Sequence, residues 1–371
     1  MRLSAHLIAL SLLLPGIGSG RAAAAALEQA FAAVHNFTRA QQPLPQPPAP
    51  AAEPSVQLPP APPIPPPPPF LATLEDPKEN PTTPEKVALG YLLFFDKLLS
   101  KDRTMSCESC HHPELAWTEG KAVSPKVGGA LNKRNAPTML NIGYHTSFYW
   151  DGRMPTLEAV SKAAWTGQLG TDPASVATGL NTNATYRAYF MRAFNSPATA
   201  ENIPMALASF LRALKSGNAP YDKFEKGDKK AVSADAKRGF EVFRKANCAL
   251  CHVPPLYTDF QFHNVGVGWD LGEKRDHGRM DHTKDPKDDG KFKTPTLRDI
   301  GKTAPYFHDG SVKTLDEAID FMTGGGHKNP NLDEKLKPAK LSKKDKAALK
   351  AFLESLTGTA TFTNAPTELA K

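Results

Sequence analysis

Two short stretches decide how this chain is expected to fold: Cys107-Glu108-Ser109-Cys110-His111 and Cys248-Ala249-Leu250-Cys251-His252. These two copies of Cys-x-x-Cys-His contain all four cysteines of the protein. In such a motif both thiols add to the vinyl groups of one haem, and the histidine that follows is placed under the iron as its ligand. The sequence therefore predicts two covalently bound haem c groups, with His111 and His252 as iron ligands.

A zinc site, a disulfide and a thioredoxin-like redox pair are the alternative uses of these cysteines. A zinc ribbon pairs its Cys-x-x-Cys units at a separation of about 15–20 residues, whereas a much longer stretch separates Cys110 from Cys248. A redox dithiol does not need a histidine directly after the second cysteine in both copies. Haem attachment is the interpretation that accounts for every cysteine and for both histidines.

The composition is that of a globular protein with two domains. The chain has 371 residues, and 40% of them are hydrophobic, which is enough for two cores. The formal net charge of +7 is compatible with an acidic redox partner, but surface lysines of any soluble protein give the same balance. No basic run is interleaved with aromatic residues, so no nucleic-acid partner is predicted.

The N-terminal part of the chain predicts export followed by a spacer. Arg2, an apolar stretch over 7–14 and small residues over 22–26 are typical of a cleaved signal peptide, here 1–26. The apolar stretch is shorter than the ~20 residues that a membrane-spanning helix needs, so no transmembrane anchor is predicted. Proline is abundant in the segment that follows, and 27–70 is expected to be a semi-rigid tether outside the core fold.

The rest of the chain predicts two similar helical domains. A capped helix precedes each haem motif, beginning after Thr83 in the first copy and after Ser233 in the second. Further helices are predicted over 206–214, over 314–322 and after Ser342, and almost no segment alternates with period two. We therefore expect a mainly α protein of two cytochrome c-like domains, each with one covalent haem and with long loops wrapped on the haems. The expected boundaries are 71–215 for the first domain, 216–230 for a linker, 231–360 for the second domain and 361–371 for a tail.

Several further stretches carry specific residue patterns. They are Arg134-Asn135-Ala136-Pro137-Thr138, Phe148-Tyr149-Trp150-Asp151-Gly152-Arg153, Phe260-Gln261-Phe262-His263-Asn264-Val265-Gly266, Lys293-Thr294-Pro295-Thr296-Leu297-Arg298 and Ala304-Pro305-Tyr306-Phe307-His308-Asp309-Gly310-Ser311. Together they resemble the bacterial diheme cytochrome c peroxidases and their MauG-type relatives, over about 81–358. The resemblance implies a periplasmic protein whose first haem binds hydrogen peroxide. It implies that the second haem receives electrons from a small donor protein, a cytochrome or a cupredoxin, and that both haems share a high-valent bis-Fe(IV) state.

The resemblance also implies how the two haems communicate and how the second is ligated. Trp150 falls at the position of the tryptophan that lies between the haems in this family. Met322 falls where typical peroxidases have the methionine ligand of the second haem and where MauG has a tyrosine. Only Met280 and Met322 follow His252 in the sequence, and Met280 lies in a charged stretch.

A calcium site between the domains is a further implication of the resemblance. Asn135 falls at the position of a calcium ligand of the family. The backbone carbonyl groups of Thr303 and Pro305 fall at two more. Ligation by oxygen atoms alone is what a hard cation such as Ca²⁺ prefers. The resemblance therefore predicts one bound calcium ion.

Two positions depart from the pattern of typical peroxidases. No histidine lies between Pro113 and Tyr144, where those proteins carry one that caps the first iron until reduction releases it. Gln168 stands where they have a distal glutamate, and a neutral amide cannot be the general base that moves the peroxide proton. A five-coordinate first haem and slow turnover are therefore expected, a pattern that also suits a BthA-like variant of the family.

Three functions follow as hypotheses. The main one is a diheme c-type peroxidase that reduces hydrogen peroxide with electrons from a redox partner. A MauG-like oxidase of an aromatic side chain in a partner protein is the first alternative, and methionine rather than tyrosine at 322 argues against it. A non-enzymatic electron-transfer cytochrome is the second, and it would keep both irons six-coordinate. The sequence leaves open which protein donates the electrons and whether the chain forms oligomers.

Overall fold

Helices and irregular loops make up most of the structure, a computed structural model that describes residues 56–367. The predicted signal peptide and the first part of the predicted tether lie outside the described residues. The α-helices within these residues are α1 (Pro84–Phe95), α2 (Leu157–Gln168), α3 (Pro173–Thr182), α4 (Ala184–Phe194), α5 (Asn202–Ala213), α6 (Pro220–Glu225), α7 (Ala234–Lys245), α8 (Met280–Thr283), α9 (Leu315–Gly324) and α10 (Lys343–Glu354). The strands are β1 (Ser216–Gly217), β2 (Phe262–His263), β3 (Phe292–Lys293) and β4 (Thr359–Ala360). The mainly α prediction is confirmed.

The strands form two small antiparallel pairs. Three of the helices begin at the capping residues predicted from the sequence. β1 pairs with β4, and β2 pairs with β3. Thr83 and Ser233 each accept a hydrogen bond from a backbone N–H in the first turn of their helix, at 3.3 and 3.0 Å. Ser342 and Asp345 form a reciprocal capping box at the start of α10. None of the helices within 56–367 is long and apolar enough to cross a membrane.

Two helix crossings in the structure have the same contact. α1 packs on α5 with Gly90 against the chain at Ala206, where a Cβ atom on the glycine would lie 2.0 Å from the carbonyl oxygen. α7 packs on α10 with Gly239 against Ala348, and a Cβ atom there would also lie 2.0 Å from the carbonyl oxygen. Glycine is required at both crossings because any side chain would overlap the facing backbone. The helix before each haem motif thus packs in the same way on the helix that closes its half of the chain.

Each of these crossings lies within its own hydrophobic core. The first core includes Trp117 and Phe210, whose ring centroids are 5.8 Å apart. The second includes Tyr257 and Phe352, whose ring centroids are 5.9 Å apart. In both cores, an aromatic residue shortly after the haem motif packs on a phenylalanine of the closing helix. This contact holds the loop after each motif against its core.

The described part of the proline-rich segment packs against the protein surface. A tether outside the core fold would instead extend away from it. Leu58 packs against the first core. The carbonyl oxygen of Pro59 accepts a hydrogen bond from Arg192 Nη1 at 2.7 Å. Pro68 covers Gly217, where a Cβ atom would lie 2.1 Å from the proline Cβ. Polyproline has no internal hydrogen bonds, so its carbonyl groups are free to bond neighbouring side chains.

The expected linker and tail also form ordered contacts. The stretch 216–230 contains β1 and α6, and its Asp222 forms a buried ion pair with Arg298. The start of the tail continues from β4, and Phe362 packs against the first core with its ring centroid 5.2 Å from that of Phe210. The polar composition of these segments predicts a linker and a tail. Composition cannot reveal their contacts, because the partners are distant in the sequence.

Candidate functional site

An apolar cavity lies in the second core beside the second Cys-x-x-Cys-His motif. Cys248, Cys251 and His252 line it, and Met322 of α9 lines it as well. Much of the remaining wall is aliphatic or aromatic and includes Phe243, Leu315, Ile319, Leu349 and Leu353. An apolar cavity with two thiols, a histidine and a thioether on its wall fits a haem attached through both cysteines.

His252 is held in the form that binds iron. Its Nδ1 lies 2.9 Å from the backbone oxygen of Tyr257, and burial lowers the pKa of the His252 ring. A neutral imidazole that donates its Nδ1–H to a carbonyl group keeps a free lone pair on Nε2. The loop after the motif therefore leaves Nε2 of His252 free, as a metal ligand requires.

The first motif repeats this arrangement. Nδ1 of His111 lies 3.0 Å from the backbone oxygen of Trp117, and burial lowers the pKa of His111 to about 4. Burial also raises the pKa of the Cys107 thiol to about 12 and that of Cys110 to about 11. A redox-active dithiol needs a lowered thiol pKa, so these values argue against the thioredoxin-like alternative.

Two buried polar atoms near the first motif indicate that a further group belongs there. The indole Nε1 of Trp117 and one carboxylate oxygen of Glu119 have no hydrogen-bond partner among the described residues. Buried polar atoms without partners are rare in native proteins unless a ligand or an ordered water satisfies them. The residues around the first motif therefore fit a haem, because its propionate groups can accept a hydrogen bond from the Trp117 indole.

Trp150 lies where the two halves of the chain meet. Its indole Nε1–H donates a hydrogen bond to the backbone oxygen of Asn135 in the first half, at 2.9 Å. Its own carbonyl oxygen accepts a hydrogen bond from the backbone N–H of Lys293 in β3, at 2.8 Å. The Trp150 side chain also lines the cavity beside the second motif. Trp150 is therefore fixed to both halves and reaches the second cavity.

An ion network beside Trp150 joins the two halves. Arg134 Nη1 donates to Asp151 at 2.6 Å, and Nε and Nη2 of the same guanidinium donate to Asp276 at 2.6 and 2.8 Å. Asp151 follows Trp150 directly and is buried, and Asp276 belongs to the second half. A guanidinium that binds a carboxylate through two nitrogen atoms fixes its direction as well as its distance.

The three residues predicted to hold calcium line the same cavity. Asn135, Thr303 and Pro305 are all part of its wall. The side-chain amide of Asn135 donates to the backbone oxygen of Lys121 at 2.8 Å. This bond uses the nitrogen, so the oxygen of the Asn135 amide is the atom that a cation would bind.

Gln168 lies apart from this group of residues. It is the last residue of α2, and its Oε1 accepts a hydrogen bond from Asn132 Nδ2 at 2.8 Å. Its backbone oxygen accepts another from Val127 at 3.0 Å. Gln168 is therefore bonded to the loop that follows the first motif, and it does not line the second cavity.

Sequence reasoning missed two charged groups near the second cavity. Lys293 is buried, which lowers its pKa to about 8, and its Nζ bonds His145 Nδ1 at 3.1 Å. His263 lies between the carboxylates of Asp259 and Asp333. Both basic residues stand in motifs that carry the family resemblance. Their partners His145 and Asp333 are too distant in the sequence to be found from it, and only Asp259 is a near neighbour of His263.

Two covalent haem sites in one mainly helical chain define the class of diheme c-type cytochromes. The family model of the di-haem cytochrome c peroxidases, CCP_MauG, matches residues 84–230. The methylamine utilization protein MauG of Methylorubrum extorquens is 40% identical over 287 residues, which cover 76% of this chain and 80% of that protein. The cytochrome-c peroxidase IdrP1 of Denitromonas iodatirespirans is 36% identical over 317 residues, which cover 76% and 84%.

Solved structures agree with these relatives. A MauG-like protein associated with microbial copper homeostasis has a TM-score of 0.73 and 32% identity, over 78% of this chain and 94% of that one. The diheme peroxidase BthA of Burkholderia thailandensis has a TM-score of 0.63 at 20% identity, over 80% and 94%, and is similar in fold. The chain belongs to the di-haem cytochrome c peroxidase and MauG family. It is an oxidoreductase with two c-type haems.

Proposed function

We propose that this protein is a diheme peroxidase that reduces hydrogen peroxide with electrons from a small donor protein, a cytochrome or a cupredoxin. The observation that carries the proposal is that Met322 lines the same cavity as His252. Methionine together with histidine raises the reduction potential of a c-type haem. A second haem with this ligand pair is suited to receive electrons.

The proposed haem ligands follow from the two motifs. The first haem would be held by Cys107, Cys110 and His111, and the second by Cys248, Cys251, His252 and Met322. Haem iron supplies peroxide binding and one-electron chemistry when it is bound. The backbone carbonyl groups of Trp117 and Tyr257 orient the imidazoles of His111 and His252. Accepting a hydrogen bond from Nδ1 also makes each imidazole a more basic ligand.

Trp150 is the proposed route for electrons between the two halves. Its hydrogen bonds to Asn135 and from Lys293 support this role, because the first fixes the indole ring and the second joins the Trp150 backbone to the second half. A calcium ion held by Asn135, Thr303 and Pro305 would stiffen the same junction.

Gln168 is the proposed distal group of the first haem. Its amide can donate a hydrogen bond to peroxide but cannot take the peroxide proton. We therefore infer that peroxide reacts slowly in this protein. The predicted signal peptide supports a periplasmic location, where c-type cytochromes and their donors meet peroxide.

A MauG-like oxidase is the second candidate, because MauG of Methylorubrum extorquens is 40% identical to this chain. Such an enzyme oxidises an aromatic side chain of a partner protein. Met322 argues against this activity, since the resemblance places a tyrosine of MauG at this position.

Spectroscopy of the oxidised, haem-loaded protein separates these functions. We expect one high-spin and one low-spin haem, and a slow optical change when peroxide is added, followed by oxidation of a reduced donor cytochrome. Mössbauer spectra would identify the iron states after peroxide addition. Two low-spin haems and no response to peroxide would overturn the peroxidase proposal in favour of an electron carrier.

A further inference from the structure

A histidine lies beside the second motif, and each of its two ring nitrogens is within hydrogen-bond distance of a carboxylate. The His263 side chain is 11% exposed, with Nε2 3.0 Å from Asp259 Oδ2 and Nδ1 2.5 Å from Asp333 Oδ2. Ionised carboxylates only accept hydrogen bonds. The His263 ring therefore bonds both carboxylates when both of its nitrogens carry a proton and donate. His263, Asp333 and Met322 all line the cavity of the second core.

The two carboxylates come from two different segments of the chain, and each segment adjoins one proposed iron ligand. Asp259 closely follows His252 and Tyr257, which form the proximal loop. Asp333 belongs to the stretch 325–339, which directly follows the helix that carries Met322 and which we name the methionine loop. One imidazole therefore connects the segments that carry both proposed ligands of the second iron.

Apart from the contact with His263, the methionine loop is held mainly by neutral hydrogen bonds. Near its middle, Asn329 Nδ2 donates to Asn264 Oδ1 at 3.1 Å and Asn331 Nδ2 donates to the backbone oxygen of Pro286 at 2.9 Å. The loop leaves α9 at Gly325 and Gly326, whose φ angles of +89° and +66° allow the chain to turn sharply. The backbone N–H of Asp333 donates to Asn264 at 2.9 Å, and that of Ala339 donates to Thr323 at 2.8 Å. The bond between His263 and Asp333 adds a charge-assisted contact, which is stronger than these neutral ones.

A metal ion does not explain this cluster. The sulfur of Cys251, a carboxylate oxygen of Asp259 and a ring nitrogen of His263 lie within 4.8 Å of one another, as metal ligands do. However, Cys251 belongs to the haem motif, and both ring nitrogens of His263 already lie at hydrogen-bond distance from carboxylates. The cluster is explained more simply as a structural connection.

We propose that His263 is a positioning residue for the second haem. By holding Asp333 it fixes the methionine loop, and so keeps the Met322 thioether on the iron. The inference rests on the proposed function, because it requires Met322 as a ligand. Loss of the contact would leave the loop to its neutral hydrogen bonds and would let the last turn of α9 move away from the haem more often.

The test uses the fully haem-loaded protein with His263→Ala, Asp333→Asn and Met322→Ala. The readouts are the thioether-to-iron charge-transfer band of the ferric protein and the reduction potential of the second haem. We expect His263→Ala and Asp333→Asn to raise the fraction of ferric protein without thioether ligation about tenfold, as expected for loss of a charge-assisted hydrogen bond. Both should also lower the potential. The matched control His282→Gln, an exposed position, should change neither readout.

The outcomes separate this inference from the proposed function. If His263→Ala and Asp333→Asn keep the parental band and potential while Met322→Ala loses them, the positioning role is overturned and the ligand assignment stands. If Met322→Ala also keeps both, the ligand assignment itself is wrong. Should His263→Ala fail to incorporate its second haem, Asp333→Asn decides alone, because it changes one charge and keeps the shape of the side chain.

Discussion

The buried ion pair of Asp222 and Arg298 gives a prediction whose size follows from the structure. Both side chains are 2% exposed, and two guanidinium nitrogens each lie 2.9 Å from a different carboxylate oxygen. Asp222→Asn keeps the side-chain volume but leaves the guanidinium without an opposite charge. Removing one partner of a buried pair costs about 3–5 kcal/mol. We expect the free energy of unfolding to fall by that amount.

The loss should appear first in the second half of the chain. Arg298 Nε also donates to the backbone oxygen of Pro255 at 2.7 Å, on the loop between His252 and Tyr257. A guanidinium without its carboxylate would hold this loop less firmly, and the loop orients the ring of His252. The absorption of the second haem should therefore change at lower urea concentration than in the parent protein.

Urea unfolding followed by circular dichroism and haem absorption measures both effects. Asp320→Asn is the matched control, because Asp320 pairs with Lys346 Nζ at 2.7 Å on the surface, with the two side chains 62% and 37% exposed. Exposed pairs contribute about 1 kcal/mol or less. Equal losses for Asp222→Asn and Asp320→Asn would refute the reasoning from burial.

Three further predictions concern the haem sites. Met322→Ala should lower the potential of the second haem and remove its thioether band, whereas Met280→Ala should change neither, as measured by redox titration and absorption. Gln168→Glu should speed the first reaction with peroxide by about 10²-fold or more in stopped flow, because it supplies a general base. Removal of calcium by a chelator should slow electron exchange between the haems, and Asn135→Ala should have the same effect in flash photolysis.

Each of these predictions has a result that contradicts it. Loss of the band in Met280→Ala but not in Met322→Ala would reverse the ligand assignment. A Gln168→Glu variant that reacts no faster than the parent would show that residue 168 is not the distal group. Unchanged electron exchange in protein shown by elemental analysis to be free of metal would remove calcium from the junction.

Local signals in the sequence predicted five of the ten α-helices within the described residues, because the causes of these five are local. Thr83, Ser233 and Ser342 cap the helices that follow them, and a side-chain cap acts on the next three residues alone. The helix predicted over 314–322 is observed as Leu315–Gly324, with its end set by Gly325. Such signals need no knowledge of the rest of the fold.

Contacts between distant segments could not be predicted in this way. Composition predicted a linker over 216–230, and only the fold reveals that Asp222 meets Arg298 there. The same holds for the candidate site. Each haem motif is contiguous in the sequence and can be recognised directly. The role of His263 depends on its contact with Asp333, which lies beyond α9 in the sequence.

The helices α2 and α9 have the same local structure in the two halves of the chain but differ at one position. Thr156 and Thr314 cap these helices in the same way, because the side chain of each accepts a hydrogen bond from the backbone N–H of the third helical residue. A short bridge closes the turn before each helix, Phe148 with Met154 and Tyr306 with Val312. Buried residues recur at the same steps after the two caps: Leu157, Ser161 and Trp165 in α2, and Leu315, Ile319 and Thr323 in α9. The two helices therefore align without a gap.

In this alignment Ala164 stands at the position of Met322. A methyl side chain has no atom that can bind iron, whereas a thioether at the same step of the helix can. The first half has thus kept the helix but has no ligand at this step, and no histidine lies between Pro113 and Tyr144 to replace it. A carrier of electrons would need two ligands on each iron. The difference between Ala164 and Met322 therefore supports a first haem that is open to peroxide and a second haem that is closed to it. A diheme peroxidase requires one haem of each kind.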